Sequence, residues 1–112
     1  MFSIVIPIYN EALNLKKLIN EIFVSLDRYK NFDVILVNDG SNDNSLDIIK
    51  DLNKKYNLIL INNLIRKGQS FSITKGIQKS NNEIIITIDG DGQNNPQDIP
   101  SLLDYYLSHC IT

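Results

Sequence analysis

Apolar positions along the chain switch between two periods. Phe2 to Ile8, FSIVIPI, is a short run rich in β-branched residues, and Leu15, Leu18, Ile19, Ile22, Phe23 and Leu26 follow at three- and four-residue spacings. The run reads as a strand and the spaced set as one face of a helix. The alternation then recurs. Asp33 to Asn38 (DVILVN) predicts a second strand, and the turn-rich DGSNDNS brings Asn44 or Ser45 to the start of a helix carrying Leu46, Ile49, Leu52 and Tyr56. Leu58 to Asn62 predicts a third strand and Ser70 to Lys79 a third helix. Glu83 to Ile88 predicts a fourth strand, and a fourth helix runs from about Gln97 to Leu107.

Strands that alternate with helices of about ten residues build βαβ units, so the expected fold is a three-layer α/β/α domain with a mostly parallel sheet. The uninterrupted apolar runs of strands two, three and four lead us to expect them buried on both faces. In such sheets ligands bind beyond the carboxyl ends of the strands. Polar residues collect there: Tyr9, Asn10 and Glu11 after strand one, Asn38, Asp39 and Ser41 after strand two, Arg66, Lys67 and Gln69 after strand three, and Asp89, Asp91 and Gln93 after strand four. Any one loop of this kind is explained by turn and cap chemistry, and Asn10, Ser41 and Asn44 are read that way. Four loops carrying polar groups to one edge make a site the better explanation.

Composition narrows the classes. The 112 residues are 43% hydrophobic, enough for one domain that buries roughly two-thirds of its unfolded surface. Eleven basic residues against thirteen acidic give a formal net charge of −2, with no basic stretch to track a nucleic-acid backbone. Cys110 is the single cysteine, so neither a disulfide framework nor a thiolate metal cluster is expected. The apolar stretch after Met1 is too short for a signal peptide, and no run approaches a membrane span. These features predict a cytoplasmic location.

The stretch IDGDGQNNPQDIP, Ile88 to Pro100, ends the fourth strand in two carboxylates. Asp89 and Asp91 lie two residues apart, about 6 to 7 Å between Cα atoms in extended chain. Such a pair is costly unless a cation or shared proton offsets the repulsion. A hard cation takes one or two carboxylates plus substrate phosphates and water, and Gln93 adds an oxygen. Gly90 and Gly92 permit tight turns and are expected to loosen the loop. An EF-hand calcium loop starting at Asp89 would need glycine at its sixth position and glutamate at its twelfth, where this chain has Asn94 and Pro100. A phosphatase of the haloacid-dehalogenase type, with Asp89 as nucleophile and Asp91 as acid, expects threonine where Gln93 stands and much more chain beyond. Neither G-x-G-x-x-G nor G-x-x-x-x-G-K-[ST] follows any strand.

IVIPIYNEALNL, VNDGSNDNS, GQSFSITKGI and IDGDGQNNPQDIPSLL together resemble, in order and spacing, family 2 glycosyltransferases of the GT-A fold. The resemblance covers nearly the whole chain and is strongest to the branch that loads sugars onto dolichyl or undecaprenyl phosphate. It implies a nucleotide-sugar donor, UDP- or GDP-linked, bordered by Pro7, Tyr9, Glu11, Asp39, Asp89 and Asp91, with Asp39 toward the base. It implies Mg²⁺ or Mn²⁺ on Asp91 and Gln93, and inversion at the sugar. It assigns no catalytic base, since a polyprenyl phosphate acceptor is already ionised. Arg66 and Lys67 receive no assignment, a solvated basic turn being an equal explanation. Residues 1–112 are expected to be the nucleotide-sugar-binding portion of a truncated domain whose acceptor-binding part is absent. Self-association or association with that part is expected at an exposed sheet edge, in a parent protein at the cytoplasmic face of a membrane. The rival from another class is a catalytically silent nucleotide-binding or interaction module.

Overall fold

The computed structural model describes residues 2–90 and 95–109, with side chains described through residue 104. Among these residues four strands and four helices alternate as the apolar periods require: β1 (Phe2–Ile8), α1 (Ala12–Ser25), β2 (Phe32–Asp39), α2 (Ser45–Lys55), β3 (Leu58–Asn63), α3 (Gln69–Lys79), β4 (Ile84–Thr87) and α4 (Ile99–His109). The fourth helix is entered through a short 3₁₀ turn, Pro96–Asp98, where Asn95 Oδ1 accepts from Gln97 N at 3.1 Å. Pro96 there supplies a preset φ where no N–H is needed.

All strand pairs are parallel, in the order β3-β2-β1-β4. Parallel crossovers are right-handed, so the step from β1 outward through β2 to β3 puts both connecting helices on one face. The return from β3 across the sheet to β4 puts α3 on the other. The packing follows this division. Ile4, Ile6 and Ile8 of β1 with Val34 and Leu36 of β2 form one core with Leu15, Leu18, Ile19 and Ile22 of α1, Ile49 and Leu52 of α2, and Ile99 and Leu103 of α4. The opposite face, Val5, Ile35 and Val37, is covered by α3.

α3 packs with its smallest residues. Its buried positions are Ser72 and Gly76, one turn apart, and a Cβ on Gly76 would run into Val5 Cγ1 and meet Val37 Cγ2 at 3.4 Å. The missing side chain lets the helix lie close on two β-branched residues.

The central strands are buried on both faces, but β3 and β4 are not. Ile59, Ile61, Ile84, Ile85 and Ile86 are only half-buried, because these strands form the two edges and α3 covers one face alone. Continuous apolar sequence therefore marked two edge strands as well as a central one. Aromatic packing closes the end opposite the strand carboxyl termini, with Phe2 stacked on Phe32 at 5.3 Å and Phe23 on Tyr56 at 4.5 Å. Among the described residues no helix is long and apolar enough to cross a membrane.

Candidate functional site

The strand order reverses between β1 and β4, since the chain builds outward from β1 through β3 before returning to pair β4 on its other side. Adjacent loops diverge at such a switch point and leave a crevice at the strand carboxyl ends. A cleft of about 260 Å³ lies there, walled by Pro7, Ile8, Tyr9 and Glu11 after β1, Asp39 at the end of β2, Arg66 and Gln69 after β3, and Asp89 and Gly90 after β4. Pro7, Tyr9, Glu11, Asp39 and Asp89 of the expected set thus meet in one place. Asp91 and Gln93, the expected metal ligands, fall outside the described residues.

Hydrogen bonds between loops hold this edge together. Asn10 adopts a left-handed conformation, φ 53°, accessible to asparagine at modest cost. Its Oδ1 accepts from Asn42 N at 2.7 Å and Asp43 N at 3.3 Å, and its N–H donates to Ser41 Oγ at 3.0 Å. The helix start expected from Asn44 or Ser45 depends on a different side chain. Asp43 Oδ1 accepts from Ser45 N at 2.9 Å and from its hydroxyl, while Oδ2 accepts from Ala12 N at 3.3 Å. Burial pushes the Asp43 carboxyl upward, and the Ser45 and Ala12 donors outweigh it, leaving a net lowering. Asp43 therefore joins the starts of α1 and α2.

Asp39 has a similar role one strand along. It is buried, and its Oδ1 accepts from Lys67 N at 2.7 Å and Asn63 Nδ2 at 3.1 Å, while Oδ2 accepts from Gly68 N at 2.9 Å. Burial alone would raise its pKa; the donors from Lys67, Asn63, Gly68 and Ser72 prevail and hold it below the usual carboxylate value. Gly68, at φ 100°, supplies the turn that aims two successive N–H groups at one carboxylate. Lys67 contributes backbone here. Its neighbour Arg66 enters the cleft and stacks on the Tyr9 ring, Cζ 3.9 Å from the centroid.

Gly90 itself is tightly packed where loosening was expected, and Gly92 lies outside the described residues. Gly90 is buried, and a Cβ there would meet Ile8 Cδ1 at 2.7 Å and the Pro7 carbonyl oxygen at 2.9 Å. The glycine draws the end of β4 tightly onto β1. Asp89 beside it is exposed, and its Oδ1 accepts from Gln69 Nε2 at 3.0 Å. Neither Arg66 nor Gln69 carries an assignment from the sequence. The only signal for either was its position after the third strand.

Glu11, Asp39 and Asp89 are the carboxylates of the cleft wall, with the Arg66 guanidinium as the cation among its described residues. Oxygen donors of this kind suit a hard divalent cation. Among the described residues no group of three or more acidic, His or Cys side chains is arranged to hold one.

The family model described as "Glycosyl transferase family 2" matches residues 3–110. The chain belongs to glycosyltransferase family 2. A family relative, the undecaprenyl-phosphate 4-deoxy-4-formamido-L-arabinose transferase of Aeromonas hydrophila, is 35% identical over 107 residues, covering 93% of this chain and 33% of its own. The protein of the same name from Pectobacterium atrosepticum is 37% identical over 108 residues, covering 92% of this chain and 32% of its own. This chain spans about a third of the length of the curated relatives it matches. Among solved structures, the mannosyltransferase PcManGT of Pyrobaculum calidifontis, crystallised with GDP-Man and Mn²⁺, superposes with TM-score 0.82 at 20% identity, over 96% of this chain and 32% of its own. S. aureus TarS 1-349 with UDP-GlcNAc gives TM-score 0.77 at 23% identity, over 96% of this chain and 31% of its own. At these identities the superpositions establish the GT-A fold that this family 2 chain shares.

Proposed function

We propose that residues 1–112 form the nucleotide-sugar-binding portion of a glycosyltransferase that moves a sugar from a UDP- or GDP-linked donor to a polyprenyl phosphate, with inversion. The observation that carries this reading is the cleft at the β1/β4 switch point, where the loops after all four strands converge. The names of the curated relatives support the acceptor class.

In this reading Pro7, Tyr9, Glu11, Asp39, Asp89 and Asp91 border the donor. Asp39 holds the loop that carries Arg66 and stands on the side of the base. Asp91 and Gln93 are the proposed ligands of Mg²⁺ or Mn²⁺, with Asp89 beside the donor's sugar and diphosphate. A bound divalent cation would neutralise charge that grows on the leaving diphosphate. The Arg66 guanidinium adds to that compensation in a cleft whose other charged lining groups are carboxylates. In the transfer, the bond between sugar C1 and the diphosphate oxygen breaks and its electron pair leaves with the nucleoside diphosphate. An acceptor phosphate oxygen forms the new bond to C1 from the opposite face. That oxygen is already ionised, so no protein base is required. Donor and acceptor of these kinds meet at the cytoplasmic face of a membrane, where the parent protein would act. An acceptor-binding part, or a second copy, would join at an exposed sheet edge.

The second reading is a nucleotide-binding module without turnover, for which the same cleft suffices. Incubation with UDP- and GDP-sugars, Mn²⁺ and a polyprenyl phosphate in detergent separates the two. The transferase reading expects nucleoside diphosphate release above that of an Asp89→Ala variant. Donor binding with no release would favour the module, and absence of both would overturn the donor-site reading.

A further inference from the structure

We infer that Gln69 is a positioning residue of the donor site, fixing the Asp89 carboxylate through its side-chain amide. The inference rests on the donor-site reading above and goes beyond it, since the amide belongs to a helix start with no assigned role. Three observations carry it.

First, Gln69 Nε2 donates to Asp89 Oδ1 at 3.0 Å across the cleft, linking α3 to the end of β4, and both residues line the cavity. An amide donor to an ionised carboxylate is a charge-assisted bond. It gives the Asp89 carboxylate a preferred direction from the α3 side of the cleft.

Second, the donor is itself held in place. Gln69 is the first residue of α3, and the two residues before it, Lys67 and Gly68, give their N–H groups to buried Asp39 at 2.7 and 2.9 Å. The end of β2 thereby grips the start of α3, and α3 reaches across to the end of β4. Two strand ends, those of β2 and β4, are coupled through the start of α3.

Third, Asp89 has little backbone freedom to compensate. Gly90 is buried with no room for a Cβ against the Pro7 carbonyl, and Ile88 N donates to Val5 O at 3.1 Å. With the main chain anchored on both sides, the side-chain torsions decide where the carboxylate points. A neutral amide suits the task better than a carboxylate would, because a second anion at this distance would repel Asp89.

The test measures binding of UDP and GDP in the presence of Mn²⁺ to the wild-type chain and to Gln69→Leu, Gln69→Glu, Asp89→Ala and the Gln69→Leu/Asp89→Ala double variant. Thermal melting accompanies each, and the ¹³C resonance of the Asp89 carboxyl is followed in the free protein. Gln69 is exposed, so melting temperatures of its variants should stay near that of wild type. We expect Gln69→Leu to weaken binding about tenfold and to move the Asp89 resonance, Gln69→Glu to weaken binding further, and the double variant to match Asp89→Ala alone, as for residues acting through one group. Wild-type affinity in Gln69→Leu, or an equal loss from Gln69→Leu with and without Asp89, would overturn the inference while leaving the donor site intact. A wild-type chain that binds no nucleotide would overturn the donor-site reading and this inference with it.

Discussion

At the scale of single residues, the site depends on side chains whose roles differ from what their types alone announce. Asp39 reads in the sequence as a ligand-binding carboxylate, yet most of its hydrogen-bonding capacity goes to Lys67, Gly68 and Asn63. Asp39→Asn places an amide NH₂ against backbone donors and should cost about 1–3 kcal/mol, measured by denaturant unfolding at neutral pH. The pH dependence has a definite sign. The folded-state pKa lies below the ordinary 3.8, so the carboxylate's stabilisation is fully present above that value and is lost as pH falls through the folded one. The stability gap between wild type and Asp39→Asn should therefore narrow on acidification below 3.8. Arg66 makes the opposite case. Its side chain is exposed on the Tyr9 ring, so Arg66→Ala should leave the melting temperature nearly unchanged while weakening nucleotide affinity about tenfold or more, the scale of a hydrogen bond to a charged group. Calorimetric titration beside a thermal melt checks both halves.

At the scale of elements, most of the fold was legible because apolar spacing reports which face of a helix is buried. Leu15, Leu18, Ile19 and Ile22 share the helical spacing of one face, and they are the buried face of α1. The same signal fails where burial is achieved without apolar bulk. α3 buries Ser72 and Gly76, and no hydrophobic period marks such a face. Nor can an apolar run distinguish a central strand from an edge, which is why β3 and β4 were expected to be more buried than they are. In the α2 entry, SNDNS offers several cap residues, and only the three-dimensional course of the loop selects Asp43. The α3 contact gives a sharp expectation. Gly76→Ala gains about 1 kcal/mol of helix propensity, but the new methyl overlaps Val5, and overpacking of this kind costs about 1–3 kcal/mol. The variant should be destabilised on balance. Combining it with Val5→Ala should lose less than the sum of the two single losses, since each relieves the other; strict additivity in chemical denaturation would refute the close contact.

At the scale of the whole molecule, topology explains the site. A chain that builds outward from β1 and returns on its other side opens a crevice at the β1/β4 boundary, and there the four loops bring Tyr9, Asp39, Arg66 and Asp89. The sequence shows polar residues after every strand but not which strands are neighbours, so the gathering of polar loops at one edge is legible and the cleft between β1 and β4 is not. The same topology leaves β4 at an edge, with β1 as its partner among the described residues. Unpaired strand edges template further pairing, so the 112-residue chain should self-associate with rising concentration in analytical ultracentrifugation, and Ile85→Lys should suppress this. A single sedimenting species of monomer mass at every concentration would contradict that expectation.

The central claim, a metal-assisted nucleotide-diphosphate site at the switch point, is tested most directly by titrating UDP and GDP into the chain by calorimetry, with and without Mn²⁺. The account predicts saturable binding of at least one nucleotide that strengthens about tenfold or more with the cation, and loss of that gain in Asp91→Ala. No binding of either nucleotide with Mn²⁺ present, or binding indifferent to both the cation and Asp91, would contradict it.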